Sequence, residues 1–155
     1  MKINKRIGIV GNGFVGSAVR YGFSPNVGID AEVKVYDKDP NKSTHALRDV
    51  LDSDVIFLSV PTPSNSDGSM SVDIVDDALK NINEYAQLFQ VGVILLRSTV
   101  TPGTTRKLQE KYPHLRIVFN PEFLTERSAK FDFINQSRFI LGGRKRNTAR
   151  VAELY

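Results

Sequence analysis

The 155-residue chain has no cysteine and no tryptophan. Without cysteine there is no disulfide, no thiolate zinc site and no thiol nucleophile within it. Histidine is scarce too. His45 and His114 lie far apart without metal-ligand spacing and read as ordinary surface or loop residues, so no metal is expected. No apolar run approaches the ~20 residues that cross a bilayer. The basic residues 1–6 lead into a strand pattern, not a cleavable apolar leader. The expectation is a cytoplasmic protein with no membrane partner. Repeats and low-complexity tracts are also absent. The net charge of +4 is scattered, apart from Arg144, Lys145 and Arg146, and no aromatic–basic interleaving accompanies it. A solvated face, or help with an anionic substrate, is expected in place of nucleic acid.

What is present fits one globular domain over residues 1–155, with 41% hydrophobic and 25% charged residues. Residues 7–10 form an apolar run that enters a glycine turn. Gly11, Gly13 and Gly16 fit G-x-G-x-x-G, with Asn12, Phe14 and Val15 between them. Such a turn lets a backbone approach a pyrophosphate at the N-terminus of the following helix, where unpaired N–H groups and the dipole favour negative charge. Phe14, Val15, Ala18, Val19 and Gly22 then share one helical stripe. A second apolar run ends at Asp37, 21 residues after Gly16. Alone, Asp37 reads equally as a solvated turn residue. In register with strand, glycines and helix, it is the acid expected on the adenosine ribose hydroxyls, and its charge favours NAD over NADP.

Strand-like runs recur at residues 7–10, 33–36, 55–60, 91–96, 116–119 and 139–141. Helical patterns fall at residues 14–21, 43–51, 72–88, 104–111 and 122–131, and residues 148–155 open a further helix. This alternation predicts an α/β fold: a doubly wound, mostly parallel, Rossmann-like sheet. Asp73 is a start signal for the third helix, whose stripe of Ile74, Ala78, Leu79, Ile82, Ala86 and Phe89 is expected to be core without a function. Three polar loops leave strand ends, where open α/β sheets hold ligands: residues 61–68, residues 98–103 and residues 120–122. Individually each could be a capped turn.

Five motifs occur in order: Gly-Asn-Gly-Phe-Val-Gly at 11–16, Val-Pro-Thr-Pro at 60–63, Ser-Thr-Val-Thr-Pro-Gly-Thr-Thr at 98–105, Asn-Pro-Glu-Phe-Leu-Thr-Glu at 120–126, and Arg138 with Ile-Leu-Gly-Gly at 140–143. Together they resemble the N-terminal NAD-binding domain of the UDP-glucose/GDP-mannose dehydrogenase family over nearly the whole chain. The Asn-Pro-Glu-Phe-Leu run is more similar to the UDP-glucose and GDP-mannose branches than to the UDP-N-acetylmannosamine branch. The resemblance implies oxidation of a sugar C6 alcohol to a carboxylate with two NAD⁺ in the complete enzyme. It implies pyrophosphate binding by the turn from Gly11 to Gly16, ribose binding by Asp37, and a basic residue near that ribose in Lys42. Val60, Pro61, Thr62 and Pro63 would line the cofactor pocket, with Ser98 beside them. Thr99 would sit near the nicotinamide and orient a catalytic water. Glu122 matches the acid/base glutamate and Glu126 a cofactor- and substrate-contacting one, with Phe123, Leu124 and Thr125 on the substrate. These types suit the chemistry: a carboxylate can take an alcohol proton, and a hydroxyl can orient water. Glu122 and Glu126 share a face if their turn is helical. Without the family match they read as acids favoured by a helix N-terminus.

Three departures stand out. The family's nucleophilic cysteine and its lysine and asparagine partners lie in segments beyond the motifs present here. Only 22 residues separate Asp37 from Val60, a compact version of a usually longer stretch, and this bears on the register of Lys42. Arg127 stands where the family usually has glycine and would crowd that point or reach an anion. The expectation is NAD binding with weak or no turnover by the isolated chain, as a fragment or a shortened homologue. A separate polypeptide could supply the missing half, and self-association would use another surface than the family's central helix. The alternatives are a non-catalytic dinucleotide-binding or interaction module, and a β-hydroxyacid dehydrogenase domain of the phosphogluconate type.

Overall fold

Parallel strands buried on both faces need apolar residues throughout, and residues 7–10, 55–58, 93–96 and 117–119 supply them, while the edge segment 31–36 alternates with Glu32 and Lys34. In the computed structural model, which describes residues 5–27, 29 and 31–154, five strands form one sheet. They are β1 (Lys5–Val10), β2 (Ala31–Tyr36), β3 (Val55–Leu58), β4 (Val93–Leu96) and β5 (Ile117–Phe119). All pairs are parallel, in the order β2-β1-β3-β4-β5. The α/β, doubly wound expectation holds. The first four residues of the basic N-terminus, and Tyr155 at the end of the expected last helix, lie outside the described residues.

The two-residue period sorts the core into two layers. Ile7, Ile9, Val55, Phe57, Val93, Leu95 and Val118 pack under helices α1 (Phe14–Gly22), α5 (Ala129–Ile134) and α6 (Lys145–Ala152). Val10, Ile56, Leu58, Ile94, Leu96 and Ile117 pack under α2 (Leu47–Leu51), α3 (Asp73–Ala86) and α4 (Thr104–Lys111). Between β1 and β3 the chain reverses its direction of travel across the sheet. That switch point opens a crevice at the carboxyl ends of the strands.

Four expected elements differ, each because side chains compete for backbone groups. The helix over residues 43–51 shrinks to α2. Residues 43–45 instead dress the edge of β2: Thr44 and His45 donate their N–H groups to Val35 O at 2.9 and 3.0 Å, and Thr44 Oγ1 accepts the Val35 N–H at 3.0 Å. The third strand ends at Leu58, not residue 60, because the Ser98 hydroxyl donates to Val60 O at 2.6 Å and accepts the Val60 N–H at 3.2 Å. The helix over residues 122–131 becomes a 3₁₀ turn at Glu126–Ser128 followed by α5. Glu122 Oε2 takes the Leu124 N–H at 2.6 Å and Asp132 Oδ2 takes the Thr125 N–H at 2.9 Å, so residues 122–125 stay out of a helix. Finally, residues 139–141 form no strand. The chain meets β5 through one antiparallel bridge, Phe119 to Gly142, and Asn120 Nδ2 claims the Ile140 carbonyl at 3.0 Å.

Candidate functional site

A cleft of about 560 Å³ lies along the carboxyl ends of the strands. One end is made by the glycine turn. Gly11 has φ 95°, and a Cβ there would collide with the Ser59 carbonyl. A Cβ on Gly16 would collide with the Gly11 carbonyl, so α1 sits hard against the turn. Gly13 differs: a Cβ there meets nothing within 4 Å, and the residue faces the cleft as N-cap of α1. No acidic side chain occupies the first turn of α1. This bare, positively polarised N-terminus fits a pyrophosphate.

Asp37 closes the cleft at the β2 end. Its Oδ2 accepts the Asn12 N–H at 2.8 Å and its Oδ1 accepts the Asp39 N–H at 2.9 Å. Burial pushes the Asp37 carboxyl up. The two N–H groups and the charge of Lys42 outweigh it, and the group sits below its ordinary value. Asn12 itself turns from the cleft and latches the turn: its Nδ2 donates to Lys42 O at 2.9 Å and its Oδ1 accepts from Ser17 Oγ at 3.1 Å.

Gly11, Gly13, Phe14, Val15, Asp37, Lys42, Val60, Pro61, Thr62, Ser98, Thr99 and Glu122 all line this one cleft. Sequence positions more than 100 residues apart are brought together by the sheet. Gly16 lies beneath the turn rather than in the cleft wall. Pro63 is exposed past the wall, where its carbonyl accepts the Ser71 N–H at 2.8 Å. Leu124 packs into the α1-side core. Thr125 belongs to a knot with Ser128 and Asp132. Phe123 lies outside the cleft with the Arg138 guanidinium 5.8 Å from its ring centroid. Glu126 and Arg127 are exposed on the 3₁₀ turn. Because residues 122–125 are not helical, Glu122 and Glu126 do not form a helical pair, and of the two only Glu122 reaches the cleft.

The structure adds residues that sequence reasoning passed over. Ile74, Asp77, Ala78, Asn81 and Ile82 of α3 form one wall, so part of the stripe assigned to core lines the site. The available signal was Asp77 and Asn81, two polar residues one turn apart beside that stripe. Tyr36, Lys38 and Leu47 line the β2 end, and Arg97 lies at the floor. Among the described residues, no cluster of acids and histidines could hold a metal, and no helix is long and apolar enough to cross a membrane.

The sequence profile of the UDP-glucose/GDP-mannose dehydrogenase family, NAD binding domain, matches residues 41–155. The chain belongs to this family. The match starts beyond the glycine turn and Asp37. An uncharacterised protein of Methanocaldococcus jannaschii is 33% identical over 96% of this chain and 20% of its own length. A UDP-glucose 6-dehydrogenase of Haloferax volcanii is 28% identical over 88% of this chain and 40% of its own. The solved UDP-glucose dehydrogenase of Pyrobaculum islandicum shares the fold, with a TM-score of 0.83 and 22% identity over 99% of this chain and 44% of that one. The chain thus spans less than half the length of these relatives and corresponds to the family's NAD binding domain.

Proposed function

We propose that the cleft binds NAD, with pyrophosphate on Gly13 and the N-terminus of α1 and the adenosine ribose on Asp37. The observation that carries this is the triplet Gly11, Gly13 and Gly16. Gly11 and Gly16 are closed by backbone contacts, while Gly13, beside Gly11 in the cleft wall, is open. Lys42 neutralises charge near the ribose, and Thr62 lines the cofactor's path. At the far end Thr99 and Glu122 face the same space from β4 and β5. NAD supplies the hydride acceptor when bound. The Glu122 carboxylate is suited to take the alcohol proton, and the Thr99 hydroxyl to orient water or substrate oxygen.

The substrate of the complete enzyme is read as a nucleotide sugar oxidised at C6, and the compartment as the cytoplasm. The 155-residue polypeptide has no thiol for a covalent aldehyde-oxidising step. It is therefore expected to bind NAD and to give no sustained NADH with UDP-glucose or GDP-mannose. Calorimetric titration with NAD⁺ tests the central claim; a folded protein giving no heat at millimolar NAD⁺ would sink it. Sustained NADH production by this polypeptide would overturn the second claim. Phe123, Phe131, Ile134, Phe139 and Ile140 are exposed beyond β5. This apolar surface suits self-association or a partner chain. A clean monomer by light scattering at high concentration counts against self-association.

A further inference from the structure

We propose that Arg97 is a positioning residue that sets the spacing of Thr99 and Glu122. This rests on the dinucleotide reading of the cleft. Arg97 follows β4 and is only 1% exposed. Its Nη1 donates to Asn120 Oδ1 at 2.6 Å, and its guanidinium carbon lies 5.8 Å from the ring centroids of both Phe57 and Phe133. Asn120 follows β5 and is also 1% exposed. Its backbone N–H donates to Leu96 O at 3.0 Å and its Nδ2 to Ile140 O at 3.0 Å.

The placement is what gives the pair a function. Thr99 lies two residues beyond Arg97, and Glu122 two residues beyond Asn120. The buried hydrogen bond therefore ties together the bases of the two loops that carry them. An apolar side chain here would pack on Phe57 and Phe133 but would offer Asn120 no donor. The guanidinium, near both rings and bonded to Asn120 Oδ1, adds a directed contact. Reacting groups need such support, since a displacement of about 1 Å can cost roughly a hundredfold in rate.

The test compares two probes on the intact 155-residue protein. ADP-ribose lacks the nicotinamide and reports only the Gly13–Asp37 end. NADH adds the ring, whose emission reports its own surroundings. In folded Asn120→Ser, whose side chain lies outside the cleft wall, ADP-ribose affinity is expected to stay within about twofold of the parent. The preference for NADH over ADP-ribose should fall roughly tenfold, with loss of the emission change of bound NADH. Arg97→Met should lose the preference for NADH alike, and Asn120→Asp, which keeps the acceptor for Arg97 but loses the donor to Ile140 O, should recover part of it. Equal weakening of both probes, or an unchanged preference in a folded variant, overturns the proposal. So does a parent that binds both probes equally with no change in ring emission. If Arg97→Met does not fold, Asn120→Ser decides; if neither folds, the pair is structural and the proposal fails. A parent that binds neither probe overturns the dinucleotide reading itself.

Discussion

The Asp37 carboxylate accepts the backbone N–H of Asn12 at 2.8 Å, so the acid at the end of β2 also holds the glycine turn that follows β1. One side chain thereby shapes the proposed phosphate site and borders the proposed ribose site. Asp37→Ala should weaken NAD⁺ about 10- to 100-fold, the range of a lost hydrogen bond to a charged group. Calorimetric titration beside a thermal melt separates this from unfolding. An Asp37→Ala variant that binds NAD⁺ like the parent removes Asp37 from the site.

The three motif glycines should part company on substitution. Gly11→Ala and Gly16→Ala press a methyl into a backbone carbonyl and should each destabilise by roughly 2–4 kcal/mol or abolish folding. Gly13→Ala meets no protein atom and should melt near the parent while losing NAD⁺ affinity. Equal melting temperatures for all three variants would contradict the packing described.

Acid should destabilise the fold through particular carboxylates. Asp54 is held low by the Arg6 guanidinium, which it meets at 2.8 Å, against the opposing effect of burial. Burial raises Asp76, but Lys111 and the Tyr112 hydroxyl outweigh it; Asp37 is lowered as described. A carboxyl depressed in the folded state adds stability above its unfolded value. That stability is lost as pH falls through the folded one. The melting temperature should therefore hold from neutrality to about pH 4 and fall below it. Asp76→Asn should start lower and lose less on acidification, as melts across pH 2–7 would show.

Ser98→Ala should cost about 1–3 kcal/mol, because the hydroxyl that serves both polar groups of Val60 disappears from a buried position. Urea unfolding measures this. A change within error would mean that water replaces the hydroxyl at no cost.

The sheet was legible because β3, β4, β5 and residues 7–10 of β1 are uninterrupted apolar runs and β2 alternates, and five of the six expected strands are present. The loops at strand ends were legible from proline, glycine and hydroxyl residues, and they converge as expected. What could not be read was competition from distant side chains. Nothing local tells that Thr44 will edge β2, that Ser98 will end β3, or that Asp132 will draw off the Thr125 amide. These three contacts moved three element boundaries, and all three span seven residues or more. The pairing of Glu122 with Glu126 failed for the same reason. The wall from Ile74 to Ile82 was missed because an apolar stripe looks the same whether it meets a core or a cofactor.

Phe133 lies where several of these features meet. Its ring centroid is 6.0 Å from that of Phe23 and 5.8 Å from the Arg97 guanidinium carbon, and its edge would collide with any side chain at Gly22. Helix α5 is thus keyed at once to the tail of α1 and to the exit of β4. A chimera that exchanges α5 with a relative's helix must transplant residues 22, 23 and 97 with it, although in sequence they lie 36 to 111 positions away from residue 133.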